Sequence, residues 1–365
     1  MNGLIEHCWH GRSARSRLNR GLHEWTRFPG VWRWQPNLWA IVILLSILAG
    51  IGDIAAAQAK LPAVINDQTV SDQSGRRIHI ARPFTRIISL YGAHTENLFA
   101  LGLDSEIIGV SPNCDYPPQA RQKKIFTYHD DAEKFLAAAT DLVLARPMIE
   151  RAYPQLMARL EKSGITIVSL QPSTVEDMFV YWRILGRLTG KAARADKMVE
   201  TFSHAIESFR GLSAGVENKK KVYLEAIHDK MKTFTPDAMA AFVLEVAGGI
   251  NVAADAQPVR TTNIAFYGKE RILSKARIID VYLAQKGAMN RPTVAMIQNE
   301  PGFGLIKAVR DNQIYIIDEM IISRPTLRLL AGVYAMGHIL YPDRYAAAGR
   351  NILSQAHVAV KEADH

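Results

Sequence analysis

The residues of this chain best suited to chemistry are aromatic and cationic, and they fall where apolar runs end. Tyr91 follows the run 86–90, and Arg146 follows 141–145. Tyr116 lies in Asn113-Cys114-Asp115-Tyr116-Pro117, beyond the run 107–111. Later in the chain, Met231 sits in the charged segment 228–234 and Arg324 just before the last apolar helix. Arg260 and Tyr267 lie in the long irregular stretch 257–270. A tyrosine ring can stack on a flat ligand, or its phenol can meet a metal chelate. A guanidinium can grip an anion through two parallel hydrogen bonds. Each residue also has an ordinary use: a ring packed on a turn, an arginine solvated over a loop, or Arg324 as a loop residue before Pro325 in the first helical turn. Residue types alone leave both uses open.

Other chemistry is poorly supported. The histidines are scattered, without the spacing of a zinc protease or a ferric triad. The Gly-x-Gly of residues 302–304 lacks the third glycine and the later acidic residue of a dinucleotide turn, and is read as structural. No nucleophile elbow or Ser-x-x-Lys is present. Cys8 and Cys114 are the only cysteines, and Cys114 is expected to be a small buried residue. The net charge of +9 is partly carried by the segment before Lys60, and no Lys/Arg run alternates with aromatics. Nucleic acid is therefore not an expected partner.

Those side chains need a frame. With 48% apolar and 22% charged residues over 365 positions, the chain can form two globular domains. Residues 1–59 stand apart. A basic stretch leads to the uncharged apolar run 38–51 and then to Ala57-Gln58-Ala59. This is the pattern of a signal peptide, with cleavage expected after Ala59 and a mature protein in the periplasm. The run is short for a bilayer span, which takes about 20 residues. An uncleaved leader tethering the protein to the inner membrane is the alternative.

Beyond the leader, apolar runs of strand length alternate with amphipathic stretches. Strands are expected at 76–84, 86–91, 107–111, 141–145, 165–170, 220–227, 277–284 and 313–318. Residues 293–297 read as a strand or a buried turn. Helices are expected at 95–103 and 175–190, and in the segments that link the other strands. This alternation predicts an α/β fold with parallel sheets. In 191–212, Ala195, Met198, Val199, Phe202, Ile206 and Phe209 recur at helical spacing, so one helix of roughly 30 Å is expected. The organisation is then a lobe at 60–190, a connecting backbone helix at 191–212, a second lobe at 213–350 and a tail at 351–365. Two lobes on one rigid helix enclose a ligand cleft lined by loops at strand carboxyl ends.

The segments RIISLYGAHTENLFALGLDSEIIGV, AEKFLAAATDLVLA, LEVAGGINVAADA, GKERILSKARIIDVYLA, GFGLIKAVRDNQIYIID and RPTLRLLAGVYAMGHILYPDRY occur in this order between Arg76 and Tyr345. Their order and spacing resemble the periplasmic substrate-binding proteins of iron-siderophore and cobalamin ABC importers. The resemblance implies a protein that catalyses nothing and carries no resident cofactor. It would capture a metal chelate (an iron-siderophore, haem or a corrinoid) and deliver it to an inner-membrane permease, acting as a monomer. It also implies one docking glutamate per lobe, Glu96 and Glu270, although a glutamate in a first helical turn stabilises its helix without any partner. The cleft candidates are then Tyr91, Tyr116, Arg146, Met231, Arg260, Tyr267 and Arg324. An exported α/β enzyme remains the competing class.

Overall fold

The structure, a computed structural model, describes residues 62–66, 68–258 and 262–359. The leader expected at 1–59 and the cleft candidate Arg260 lie outside the described residues. Among the described residues, no helix is long and apolar enough to cross a membrane.

The described chain opens with three short strands that the sequence pattern had largely concealed. They are β1 (Ala63–Asn66), β2 (Thr69–Ser71) and β3 (Arg77–His79), and they form an antiparallel sheet. The expected strand at 76–84 survives only as β3.

A five-stranded parallel sheet follows. Its elements are β4 (Ile87–Ser89), α1 (Gly92–Ala100), β5 (Ile107–Val110), β6 (Lys124–Ile125), α2 (Ala132–Ala137), β7 (Leu142–Ala145), α3 (Pro147–Ala152), α4 (Pro154–Lys162) and β8 (Thr166–Ser169). The strand order is β6-β5-β4-β7-β8. The chain starts in the middle, builds outward to β6, then returns to the other side of β4. The order therefore reverses between β4 and β7, and the loops after these two strands part to leave a crevice. Every residue of β4 and β7 is buried, which explains their unbroken apolar reading.

Two helices lead to the second sheet, α5 (Val175–Leu188) and α6 (Ala192–Ala214). The connector is thus close to its expected bounds. Ala195, Met198, Val199, Phe202, Ile206 and Phe209 are all buried along one face of α6. Phe202 meets Trp182 of α5 edge-on, with ring centroids 5.7 Å apart.

The second sheet contains β9 (Lys221–Ile227), β10 (Lys232–Phe234), α7 (Met239–Val246), β11 (Ile250–Asn251), β12 (Ile264–Phe266), α8 (Lys269–Ser274), β13 (Val281–Lys286), α9 (Val294–Asn299), α10 (Lys307–Arg310) and β14 (Ile314–Asp318). Its centre β9-β13-β14 is parallel, and β10 and β12 add an antiparallel flank. Residues 293–297, read as a strand or turn, instead begin α9. The Thr293 hydroxyl caps that helix by accepting from the Met296 N–H at 3.1 Å. The chain ends in α11 (Glu319–Ile322), α12 (Leu329–Leu340), α13 (Pro342–Tyr345) and α14 (Ala348–Gln355). Residues expected as a tail are therefore partly structural: Ile352, Leu353 and Val358 are buried in the core that α6 shares.

That core is continuous across both halves. It joins Leu142 and Leu144 of the first sheet, Trp182 and Phe202 of the connector, and Leu224 and Leu283 of the second sheet. Replacing Phe202, which has no exposed surface, by alanine should cost about 3–5 kcal/mol of stability through lost burial and a residual cavity. A shift of the urea unfolding midpoint at constant slope measures it.

Candidate functional site

The crevice between β4 and β7 gathers three of the predicted residues. Tyr91 caps the start of α1 in extended conformation directly after β4. Arg146 holds the equivalent place after β7. Its guanidinium lies 4.5 Å from the centroid of the Tyr91 ring, a cation–π stack. Arg324 arrives from the other half and packs on Gly92. A β-carbon at position 92 would lie 2.5 Å from Arg324 Nη1 and would push the guanidinium from this place. Burial raises the Tyr91 phenol above its ordinary pKa, while the neighbouring Arg146 and Arg324 charges pull it back.

His94 fixes this corner. It is fully buried between α1, β7 and α5. Its Nε2 lies 3.0 Å from the Ala145 carbonyl, and its Nδ1 lies 2.7 Å from the Tyr181 hydroxyl. Desolvation holds its pKa down at about 3, so the ring is neutral. The carbonyl can only accept, which puts the ring proton on Nε2 and makes Tyr181 the donor to Nδ1. The backbone leading into Arg146 is thereby tied to the helix that carries Tyr91.

Glu96 is not the exposed carboxylate expected of a docking residue. Helix α1 begins three residues earlier than the sequence suggests, which moves Glu96 from the entrance to the second turn. Gly102, at φ +80°, ends this helix. Its N–H reaches Phe99 O at 2.8 Å and that of Leu103 reaches Leu98 O at 3.1 Å, a Schellman closure. The Glu96 side chain is 3% exposed and sits between two guanidiniums of the other half, Arg324 at 3.0 Å and Arg328 at 3.4 Å. Burial raises its pKa, opposed by Arg328 and Arg324. Beside it, the Pro325 carbonyl accepts from Asn97 Nδ2 at 2.9 Å and Trp182 Nε1 at 3.2 Å. Glu96 therefore joins the halves.

The remaining predicted residues part company. Tyr116 lies under the Arg328 guanidinium, 4.2 Å from ring centroid to Cζ. It borders a cavity of about 400 Å³ shared with Glu96, Arg194 and Met198, not the crevice of Tyr91. Met231 occupies the turn after β9 in a left-handed conformation, φ +46°, and is half-buried against the second core. Tyr267 is a core residue, contrary to its expected place in the cleft. It is 2% exposed, its hydroxyl donates to Asp255 at 2.9 Å, and Arg271 covers its ring at 4.2 Å. Glu270 is exposed in the first turn of α8. The Gly-x-Gly segment forms a turn closed by the buried Phe303.

Sequence reasoning missed two features. Tyr128, His129 and Tyr153 form an aromatic cluster beyond β6, with centroids 4.6, 4.7 and 5.2 Å apart. The adjacent Tyr128 and His129, just after β6, were the available signal. In the second half, Glu225 is buried beneath the sheet, receives the Tyr282 hydroxyl and pairs with His228 Nδ1 at 2.8 Å. Its place in an apolar strand was the only signal. The His228 N–H donates to Asn290 Oδ1 at 3.0 Å, Asn290 donates to Gln285 O at 2.8 Å, and Ser323 donates to Gln285 Oε1 at 2.6 Å. This chain of bonds links the carboxyl ends of β9 and β13 to the segment before Arg324. Among the described residues, no group of three or more His, Cys, Asp or Glu is arranged to hold a metal.

Two outcomes are expected. Glu96→Ala leaves two buried guanidiniums without their counter-charge and should cost about 3–5 kcal/mol, with Glu96→Gln costing less, by urea unfolding. The Glu225 bond raises the His228 pKa, with help from Glu300 and Asp229. A group raised on folding contributes fully below its ordinary value of 6.5 and loses that contribution as pH climbs through the folded value. The stability gap between wild type and His228→Gln should therefore shrink as pH rises above the ordinary value of 6.5, measured by parallel urea titrations.

Comparison with known proteins places this geometry in context. The sequence profile of the family described as "Periplasmic binding protein" matches residues 87–320. An uncharacterized ABC transporter substrate-binding lipoprotein of Bacillus subtilis, YvrC, is 24% identical over 318 residues, covering 85% of this chain and 98% of that protein. The vitamin B12-binding protein of Vibrio cholerae is 26% identical over 260 residues, 70% of this chain and 89% of that one. Among solved structures, a possible iron-binding (periplasmic solute-binding) protein from Staphylococcus epidermidis superposes with a TM-score of 0.62 at 24% identity, covering 71% of this chain and all of that one.

Proposed function

Because this chain belongs to the periplasmic binding protein family, we propose that it captures a metal chelate outside the cytoplasm and hands it to an ABC permease. The observation that carries the reading is the meeting of Tyr91, Arg146 and Arg324 at the reversal point of the first sheet. Strand-end crevices at such points bind ligands in open α/β sheets. A ring flanked by guanidiniums suits a flat or anionic chelate. Two similar proteins, a vitamin B12-binding protein and a possible iron-binding protein, support an iron-siderophore, haem or corrinoid cargo. The cargo is transported rather than retained as a cofactor, and the role is binding, not catalysis. Export by the leader, with cleavage after Ala59, and action as a monomer complete the proposal.

Permease docking needs one exposed carboxylate per half, and Glu96 does not supply the first. Glu270 has a better counterpart in Glu133. Each is the second residue of a six-residue helix, α8 and α2, and each helix runs into a central strand, β13 and β7. Both are exposed. Two such carboxylates offer a two-point electrostatic contact, which fixes register and speeds encounter.

The cargo is tested by purifying the exported chain from its native host and recording its absorption and mass spectra. A bound corrinoid, haem or iron-siderophore is expected. Turnover of a small substrate, with no chelate bound at micromolar concentration, would favour an exported enzyme. For docking, Glu133→Arg combined with Glu270→Arg should lower permease capture at least roughly tenfold while chelate affinity is unchanged. Normal capture by the double variant would remove these residues from the interface.

A further inference from the structure

We propose that the cargo presents an oxyanion, a carboxylate or a phosphate, to Arg146, the one cleft arginine that no carboxylate of the protein neutralises among the described residues. This rests on the transport reading and specifies which kind of chelate the crevice takes.

The three arginines near the crevice are not equivalent. Arg324 and Arg328 share the buried Glu96 carboxylate. Glu319, from the second half, faces Arg324 and Tyr91 and is itself held by the Ala288 N–H at 3.0 Å. Arg146 has no such partner. It forms no ion pair and donates no hydrogen bond to any described residue, and its Nε–H is buried without an acceptor. Its nearest carboxylate along the chain, Glu150, is engaged by Arg76 and Ser74. The adjacent imidazole of His94 is neutral and spends its N–H on Ala145 O.

An arginine carries five N–H donors in a planar fork. Leaving a buried donor unmet costs free energy, and native proteins tolerate it where a ligand supplies the acceptor. The Tyr91 ring stacks on the guanidinium and takes none of its N–H donors. A guanidinium fork can donate two parallel bonds to one oxyanion. Glu96 has a second effect here. With Glu319 beside Arg324, it offsets the charges of Arg324 and Arg328, so Arg146 is left as the crevice cation without a carboxylate of its own.

The test is a binding panel read by tryptophan fluorescence and calorimetry, using the mature chain, Arg146→Gln and Arg146→Lys. Haemin is compared with its dimethyl ester, which isolates the carboxylates. Cyanocobalamin is compared with cobinamide, which lacks the phosphodiester. Ferrichrome serves as an uncharged chelate. We expect one anion-bearing member to bind tighter than its partner, and Arg146→Gln to weaken it by roughly tenfold or more. Arg146→Lys keeps the charge but not the fork and should recover only part of the loss. Thermal melting of both variants should stay close to wild type, because Arg146 makes no ion pair or hydrogen bond within the fold and loses only its stack on Tyr91. Chelate binding with no preference within either pair, and no change on Arg146→Gln, would overturn this inference and leave the transport reading standing. Binding of none of the five by wild type would overturn both.

Discussion

A carboxylate with almost no access to water, held between two guanidiniums from the opposite half of the chain, governs how this protein is put together. Glu96 would be a costly residue to bury alone, and Arg324 and Arg328 would be costlier still. Together they form a knot of one carboxylate and two guanidiniums, with Arg324 and Arg328 lying 228 and 232 residues from Glu96. The knot also decides what the crevice can bind. It engages Arg324 and seats it against Gly92, next to Tyr91, whose ring lies under Arg146. Assembly and selectivity draw on the same three side chains.

The packing around the knot explains why it can hold. Helices α5 and α6 present Trp182 and Phe202 to a core that runs through both sheets. The apolar contact brings the halves together without preference for register. The polar contacts at Pro325, Asn97 and Glu96 supply the register. Neutral His94 extends the arrangement to β7 and so to Arg146.

Much of this frame was legible in the sequence. The buried strands β4, β7 and β9 read as unbroken apolar runs, and α6 announced itself by the spacing of Met198, Phe202, Ile206 and Phe209. The losses have physical causes. Strands of three or four residues, such as β1 and β2, are too short to show a period. The segment at 293–297 is rich in apolar residues that suit a strand, and the Thr293 cap outweighed them. Tyr267 lies in an irregular stretch, but Asp255 gives its hydroxyl a buried partner that no local pattern reveals. Glu96 was misjudged for the same reason: periodicity within a nine-residue helix carries no trace of arginines more than two hundred residues away. The strand-end positions of Tyr91 and Arg146 could be read because apolar runs of strand length are visible in sequence.

The Pro325 carbonyl, with its two donors, has a mechanical meaning. Helices α1 and α5 each send a donor to this one peptide of the second half, so three elements are fixed against one another at a single oxygen. Tyr91 starts the helix that carries Asn97, and Arg324 precedes Pro325, so the inner end of the crevice is built on the same bonds that set the register of the halves. The aromatic group of Tyr128, His129 and Tyr153 lies beyond β6, two strands from β4, or about 10 Å further out, and draws on none of them.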